Sequence, residues 1–150
     1  MQVREIMVQP VITALENATL EEVAQIMAER RVGSVPIVNG GGQLVGLITM
    51  SDFAPPGVGG SRGTFRAVEH FRDWLAKGSA AAVFAEKKSL AASAVMTNPV
   101  ITVGEDDSLE TAVNRMLEEG LHRLIITRDG APVGVISQTD LLRLMYRGVR

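Results

Sequence analysis

The chain has 150 residues, enough for one domain or for two small halves that share a core. Its formal charge of −2 removes the long-range attraction that draws a basic protein to nucleic acid or an anionic membrane. With no cysteine, disulfides and thiolate metal sites are excluded.

The first ten residues, MQVREIMVQP, lack the apolar centre of a signal peptide. No uninterrupted apolar run approaches the ~20 residues of a membrane helix. A cytoplasmic location is therefore expected, with neither nucleic acid nor membrane as a partner. A lone half of about 60 residues buries only ~60% of its unfolded surface, against ~70% for a chain of this length, so each half should lean on the other.

Residues 11–13 predict a short extended piece. A helix follows, opened by a Thr19–Glu22 capping box and carrying Leu20, Val23, Ala24 and Met27 at helical spacing. Residues 35–38 and 44–48 are β-rich and flank Asn39-Gly40-Gly41-Gly42, a hairpin pattern. The glycine run lacks the Lys-Ser/Thr tail of a phosphate loop. The second strand runs into GLITMSD at 46–52, and Pro55-Pro56 cuts short the helix that would follow.

The segment 55–92 differs in character. PPGVGGSRG, 55–63, reads as a loop. Phe65, Val68, Phe71, Trp74 and Leu75 predict an amphipathic helix over 64–77, and the alanine-rich stretch 79–94 predicts another. His70 lies here, and with two histidines in the whole chain a metal site is not expected.

From residue 93 the first pattern returns. An extended piece at 100–102 precedes a helix capped by Asp107 and Glu110, with Leu109, Ala112, Val113, Met116 and Leu117 on its apolar stripe. Strands at 124–127 and 133–136 flank Asp129-Gly130, and GVISQTD at 134–140 starts a last helix through Leu141, Leu142, Leu144 and Met145. Arg143, Arg147 and Arg150 read as a solvated face that suits the helix dipole. Met7, Pro10, Val11, Ile12 and Thr13 fall on Met96, Pro99, Val100, Ile101 and Thr102; Gly46, Ile48 and Asp52 fall on Gly134, Ile136 and Asp140. Matched spacing over that length marks an internal duplication. The domain reading is repeat 1 at 1–54, an insert at 55–92 and repeat 2 at 93–150. The fold class is α+β: two pseudo-twofold-related β-α-β-β-α repeats packed sheet to sheet, with a helical insert between them.

Thr49-x-x-Asp52 and Ser137-x-x-Asp140 are helix N-cap patterns in their own right, and their double occurrence does not separate capping from ligand binding.

The paired strings M-x-x-P-V-I-T, VPIVNGGGQLVGLITMSD and RLIITRDGAPVGVISQTD resemble a tandem pair of cystathionine-β-synthase-type (CBS) domains, a Bateman module. The resemblance implies a regulatory module, not an enzyme, with no obligatory cofactor. It implies an adenine nucleotide (AMP, ADP or ATP) in the clefts between repeats, signalling by a change of conformation or pairing, a homodimer, and a regulated partner protein. It places adenine against Val11 and Val100, and ribose and phosphate on Thr49, Ser51 and Asp52 in copy one and on Ser137, Thr139 and Asp140 in copy two. His122 and Arg123 sit where relatives direct basic residues at phosphate; copy one has Gly33-Ser34 there, so the two clefts should differ in affinity. The alternative is a ligand-independent dimerisation scaffold, with the Ser/Thr-Asp strings as caps alone.

Overall fold

The computed structural model describes residues 1–53 and 85–148. The loop and amphipathic helix expected at 55–77 lie outside them. In chain order the elements are β1 (Ala14–Leu15), α1 (Leu20–Arg30), β2 (Ser34–Val38), β3 (Leu44–Thr49), a 3-10 turn at Met50–Phe53, α2 (Ala92–Val95), β4 (Thr102–Gly104), α3 (Leu109–Glu119), β5 (Arg123–Arg128), β6 (Ala131–Ser137) and α4 (Gln138–Gly148). They form two three-stranded sheets, β1-β2-β3 and β4-β5-β6. The duplication in sequence is thus a duplication in structure.

The chain divides into two compact units: Met1–Ile12 with Gly42–Leu44 and Val100–Arg150, and Thr13–Gly41 with Val45–Pro99. Each repeat's sheet is therefore grouped with the lead-in of the other repeat.

In the first unit, β4 runs parallel to β5 and β5 antiparallel to β6. Asp129 (φ 51°) and Gly130 (φ 82°) make the tight β5–β6 turn, which needs positive φ at both positions. Val103, Ala112, Met116, Leu124, Ile126 and Ile136 form the core, joined by Val3 from the lead-in, itself fully buried. The lead-in is held by its main chain. The Val3 amide donates to the Asp107 carbonyl at 2.9 Å, the Arg4 amide to the Glu105 carbonyl at 3.1 Å, and Val8 exchanges two backbone bonds with Val135 at 2.8 and 3.1 Å.

In the second unit, β1 pairs in parallel with β2, Ala14 opposite Ile37. The α1 stripe is buried as expected, at Leu20, Val23, Ala24 and Met27, against Val35, Ile37, Ile48, Met50 and Phe53. The Glu22 amide donates to Thr19 Oγ1 at 3.1 Å, and the Glu22 carboxylate accepts from the Thr19 amide, completing the capping box. Leu47 and Thr97 exchange two backbone bonds at 3.0 and 2.9 Å, as Val8 and Val135 do in the other unit.

Four expectations need correction. The first strands of the repeats lie later than 11–13 and 100–102, at Ala14–Leu15 and Thr102–Gly104, where the parallel partner offers a register that turns Ala14 and Val103 into the cores. The α3 cap is Ser108, whose Oγ accepts from the Thr111 amide at 3.1 Å; Asp107 instead takes the Gly104 amide at 2.7 Å and closes the turn after β4. Leu117, placed on the α3 stripe, is 75% exposed, and burial stops at Ala112 and Met116. The alanine-rich stretch is not one helix: a turn at 88–90 precedes α2, because the Leu90 carbonyl accepts from the Leu20 amide (2.8 Å) and the Ala92 amide donates to the Ala18 carbonyl (2.7 Å).

Candidate functional site

In copy two the site is built at the junction of β6 and α4. Ser137 ends the strand and caps the helix. Its Oγ accepts from the Asp140 amide at 3.2 Å, while Asp140 Oδ2 accepts from the Ser137 amide and Oγ, each at 2.9 Å. This reciprocal closure is the capping-box logic with Asp in the reaching position. Asp140 Oδ1 faces Arg143 Nη1 at 3.4 Å. Thr139 is exposed on the first turn of α4. The Gln138 amide donates to the His122 carbonyl at 3.0 Å, and Arg123 lies directly opposite Ser137 in the β5–β6 register. Residues in that relation share a face of the sheet. The backbone at His122 and Arg123 therefore lies beside the start of α4, whose first turn carries Thr139 and Asp140 next to Ser137. Val100 belongs to the same unit and lies half-buried just ahead of β4.

Copy one repeats the arrangement with differences. Asp52 Oδ2 accepts from the Thr49 amide at 2.8 Å, and Thr49 Oγ1 shares a hydrogen bond with Ser51 Oγ at 2.7 Å. The Met50 amide donates to the Gly33 carbonyl at 3.2 Å, the counterpart of Gln138 to His122. Here the neighbouring pair is Gly33-Ser34, which brings no cation. Met50–Phe53 is a 3-10 turn, so Asp52 sits half-buried in a single tight turn. Burial pushes the Asp52 carboxyl above its ordinary value; bonds from the Thr49 amide and hydroxyl and the charge of Lys87 oppose this without cancelling it. Val11 falls in the first unit and Thr49, Ser51 and Asp52 in the second, so the copy-one set is not assembled within either unit.

Both aspartates thus make the capping bond that competes with ligand contact. A carboxylate offers about four lone-pair directions, so the cap does not exhaust it. Arg143 was not expected at the site. Its signal is the Asp140-x-x-Arg143 spacing, which puts the two on one helix face. Among the described residues, no group of three or more His, Asp or Glu is placed to hold a metal, and no helix is long and apolar enough to cross a membrane.

Two like sheets, each followed by a turn or helix whose aspartate accepts the amide of the Thr or Ser that ends the strand, define a duplicated α+β module. The chain belongs to the CBS domain family, whose sequence profile matches residues 3–54 and 92–147. An uncharacterised protein of Methanocaldococcus jannaschii, MJ1225, is 31% identical over 143 residues, covering 95% of this chain and 42% of its own. The chain spans about half the length of the curated relatives it matches. Among solved structures, the CBS domain of a CBS-domain-containing membrane protein from Sphaerobacter thermophilus is 36% identical, with a TM-score of 0.71, covering 96% of this chain and 87% of its own. The CBS domain pair of protein MJ0100, solved with 5′-methylthioadenosine and S-adenosyl-L-methionine, is 26% identical with a TM-score of 0.68, covering 100% and 98%. The tandem CBS module is a regulatory, non-catalytic fold.

Proposed function

We propose that this chain is a regulatory module whose copy-two site binds an adenine nucleotide (AMP, ADP or ATP) and signals by a change in conformation or pairing. The observation that carries the reading is the convergence of His122 and Arg123 on the start of α4, through the Gln138–His122 backbone bond and the Arg123–Ser137 register. An arginine fork beside the hydroxyls and the positive dipole end of a helix start suits a phosphate. Asp140 Oδ1 is the acceptor assigned to the ribose hydroxyls, Arg143 turning from it toward phosphate when nucleotide binds. Val100 supplies the apolar contact for adenine. The adenosine ligands of the MJ0100 domain pair support an adenine compound as the ligand here.

Copy one, with Thr49, Ser51 and Asp52, is the weaker site. It has no cation at Gly33-Ser34, and burial already disfavours the Asp52 charge. The module works in the cytoplasm as a homodimer, passing its state to a partner protein.

Calorimetry with AMP, ADP and ATP tests this. Wild type binds at least one of them; Arg123→Ala loses about tenfold or more in affinity, and Asp140→Asn a similar amount, each removing charge-assisted hydrogen bonds. Unchanged affinity in both variants overturns the site.

A second reading, a dimerisation scaffold that needs no ligand, is favoured by Leu142, Met145 and Tyr146, which α4 exposes at 64%, 65% and 75%. A dimer whose melting temperature no adenine compound shifts would support it over the first.

A further inference from the structure

The seven methionines fall into three groups by exposure. Met1 and Met145 are 64% and 65% exposed; Met27, Met50 and Met116 are at most 4% exposed; Met7 and Met96 are half-buried. The last two are equivalent in the repeats, and each lies on the glycine of an outer strand. A Cβ at Gly134 would stand 2.6 Å from Met7 Sδ and 2.8 Å from its Cγ. A Cβ at Gly46 would meet Met96 Sδ, and would stand 2.6 Å from its Cγ. Each thioether therefore rests directly on bare backbone, with no slack between them. Each also sits beside a two-bond clasp, Val8 with Val135 and Thr97 with Leu47.

We propose that Met7 and Met96 are paired oxidation sites, at which a hydroperoxide converts the thioether to a sulfoxide and releases the adjoining clasp. The sulfur lone pair attacks one peroxide oxygen. An S–O bond forms as the O–O bond breaks, the sulfur loses two electrons and the peroxide gains them; the proton of the attacked oxygen passes to the other oxygen, which leaves as water or alcohol. The product is a polar group where only a flat apolar contact fits. With no thiol in the chain to compete, its accessible thioethers take up such an oxidant, and of these Met7 and Met96 alone adjoin a clasp. The inference goes beyond the nucleotide reading and does not depend on it.

The test treats the full chain, without nucleotide, with hydrogen peroxide over time. Peptide mass spectrometry follows each methionine, and NMR follows amide exchange at Val8, Val135, Leu47 and Thr97. Met1 and Met145 oxidise first with exchange unchanged. Met7 and Met96 follow, and the four amides then exchange about tenfold faster or more, while Met27, Met50 and Met116 remain thioethers. Methionine sulfoxide reductases restore protection. The Met7→Leu/Met96→Leu double variant keeps its protection under peroxide. Should it not fold, Met7→Leu alone keeps protection at Val8 and Val135 and still loses it at Leu47 and Thr97. Sulfoxides at Met7 and Met96 with unaltered exchange overturn the proposal, as does their oxidation only together with Met27 and Met116.

Discussion

The carboxylate of Asp52 accepts the Thr49 amide at 2.8 Å, and that bond does not offset the cost of the burial around it. The folded protein holds the Asp52 proton more tightly than the unfolded chain does. The resulting stabilisation is fully present below the ordinary value of 3.8 and is lost as pH rises through the folded value. Asn at this position still accepts the Thr49 amide and has no charge to bury. Without nucleotide, Asp52→Asn should melt above wild type at neutral pH, the gap closing as pH falls toward 3.8. Melting curves across that range check it; a variant less stable at neutral pH would contradict the assignment.

Glu105 behaves oppositely. It is the buried charged side chain among the described residues, at 6% exposure. Arg128 Nε donates to it at 2.8 Å, and Arg4, which also pairs with Asp106, stands at 3.7 Å. The Arg128 hydrogen bond, helped by the charges of Arg128 and Arg4, holds the carboxyl below its ordinary value of 4.5 despite burial. Its contribution to stability is present above 4.5 and is lost as pH falls through the depressed folded value. Glu105→Gln should lower the melting temperature at neutral pH and flatten the acid limb of the stability curve. An acid limb as steep as that of wild type would show that other groups cause it.

Helix α1 ends on Arg31 at φ 54°, ψ 48°, and α3 ends on Gly120 at φ 64°, ψ 36°, the same left-handed cap at equivalent positions. A side chain there costs roughly 1–2 kcal/mol, part of which glycine returns through its freedom in the unfolded chain. Urea titration should find Arg31→Gly stabilised by about 0.5–1 kcal/mol and Gly120→Ala destabilised by about 1 kcal/mol.

Much of this structure was legible in the sequence because it is locally encoded. The Thr19–Glu22 box, the Leu20–Met27 stripe, the Asp129-Gly130 turn and the Ser137-x-x-Asp140 cap each follow from residues a few positions apart. The sequence is ambiguous where two local solutions compete. Asp107 and Ser108 are both good caps, and only the Gly104 amide waiting for Asp107 decides between them. Leu117 satisfies the helical period yet lies beyond the width of surface the sheet can cover. The clasps were not legible at all. Val8–Val135 and Leu47–Thr97 are isolated bridges across the duplication, and no periodicity announces a single residue pair. At the site, the grouping of His122 and Arg123 with Ser137, Thr139 and Asp140 is an expectation of the family resemblance and not of the repeated strings, whereas the Asp140–Arg143 pairing is hidden because Arg143 also suits a solvated face.

The repeated Met and Gly of the two copies were visible, but their partnership was not, and it makes a sharp prediction. Gly134→Ala puts a methyl group where Met7 lies, 2.6 Å from its sulfur, whereas a Cβ at Gly104 finds its nearest neighbour, a carboxylate oxygen of Asp107, at 3.5 Å. Overpacking of the first kind costs about 1–3 kcal/mol, and the second substitution should lie within about 0.5 kcal/mol of wild type. Denaturant unfolding of the two variants therefore separates close packing from any general intolerance of alanine in a strand. Combining Gly134→Ala with Met7→Ala removes the two closest contacts and leaves only the residue-7 Cβ, at 3.1 Å, at the expense of the thioether's own packing. The double variant should then lose less than the sum of the singles, with a coupling of about 1 kcal/mol or more. Additive losses would mean that Met7 does not rest on Gly134.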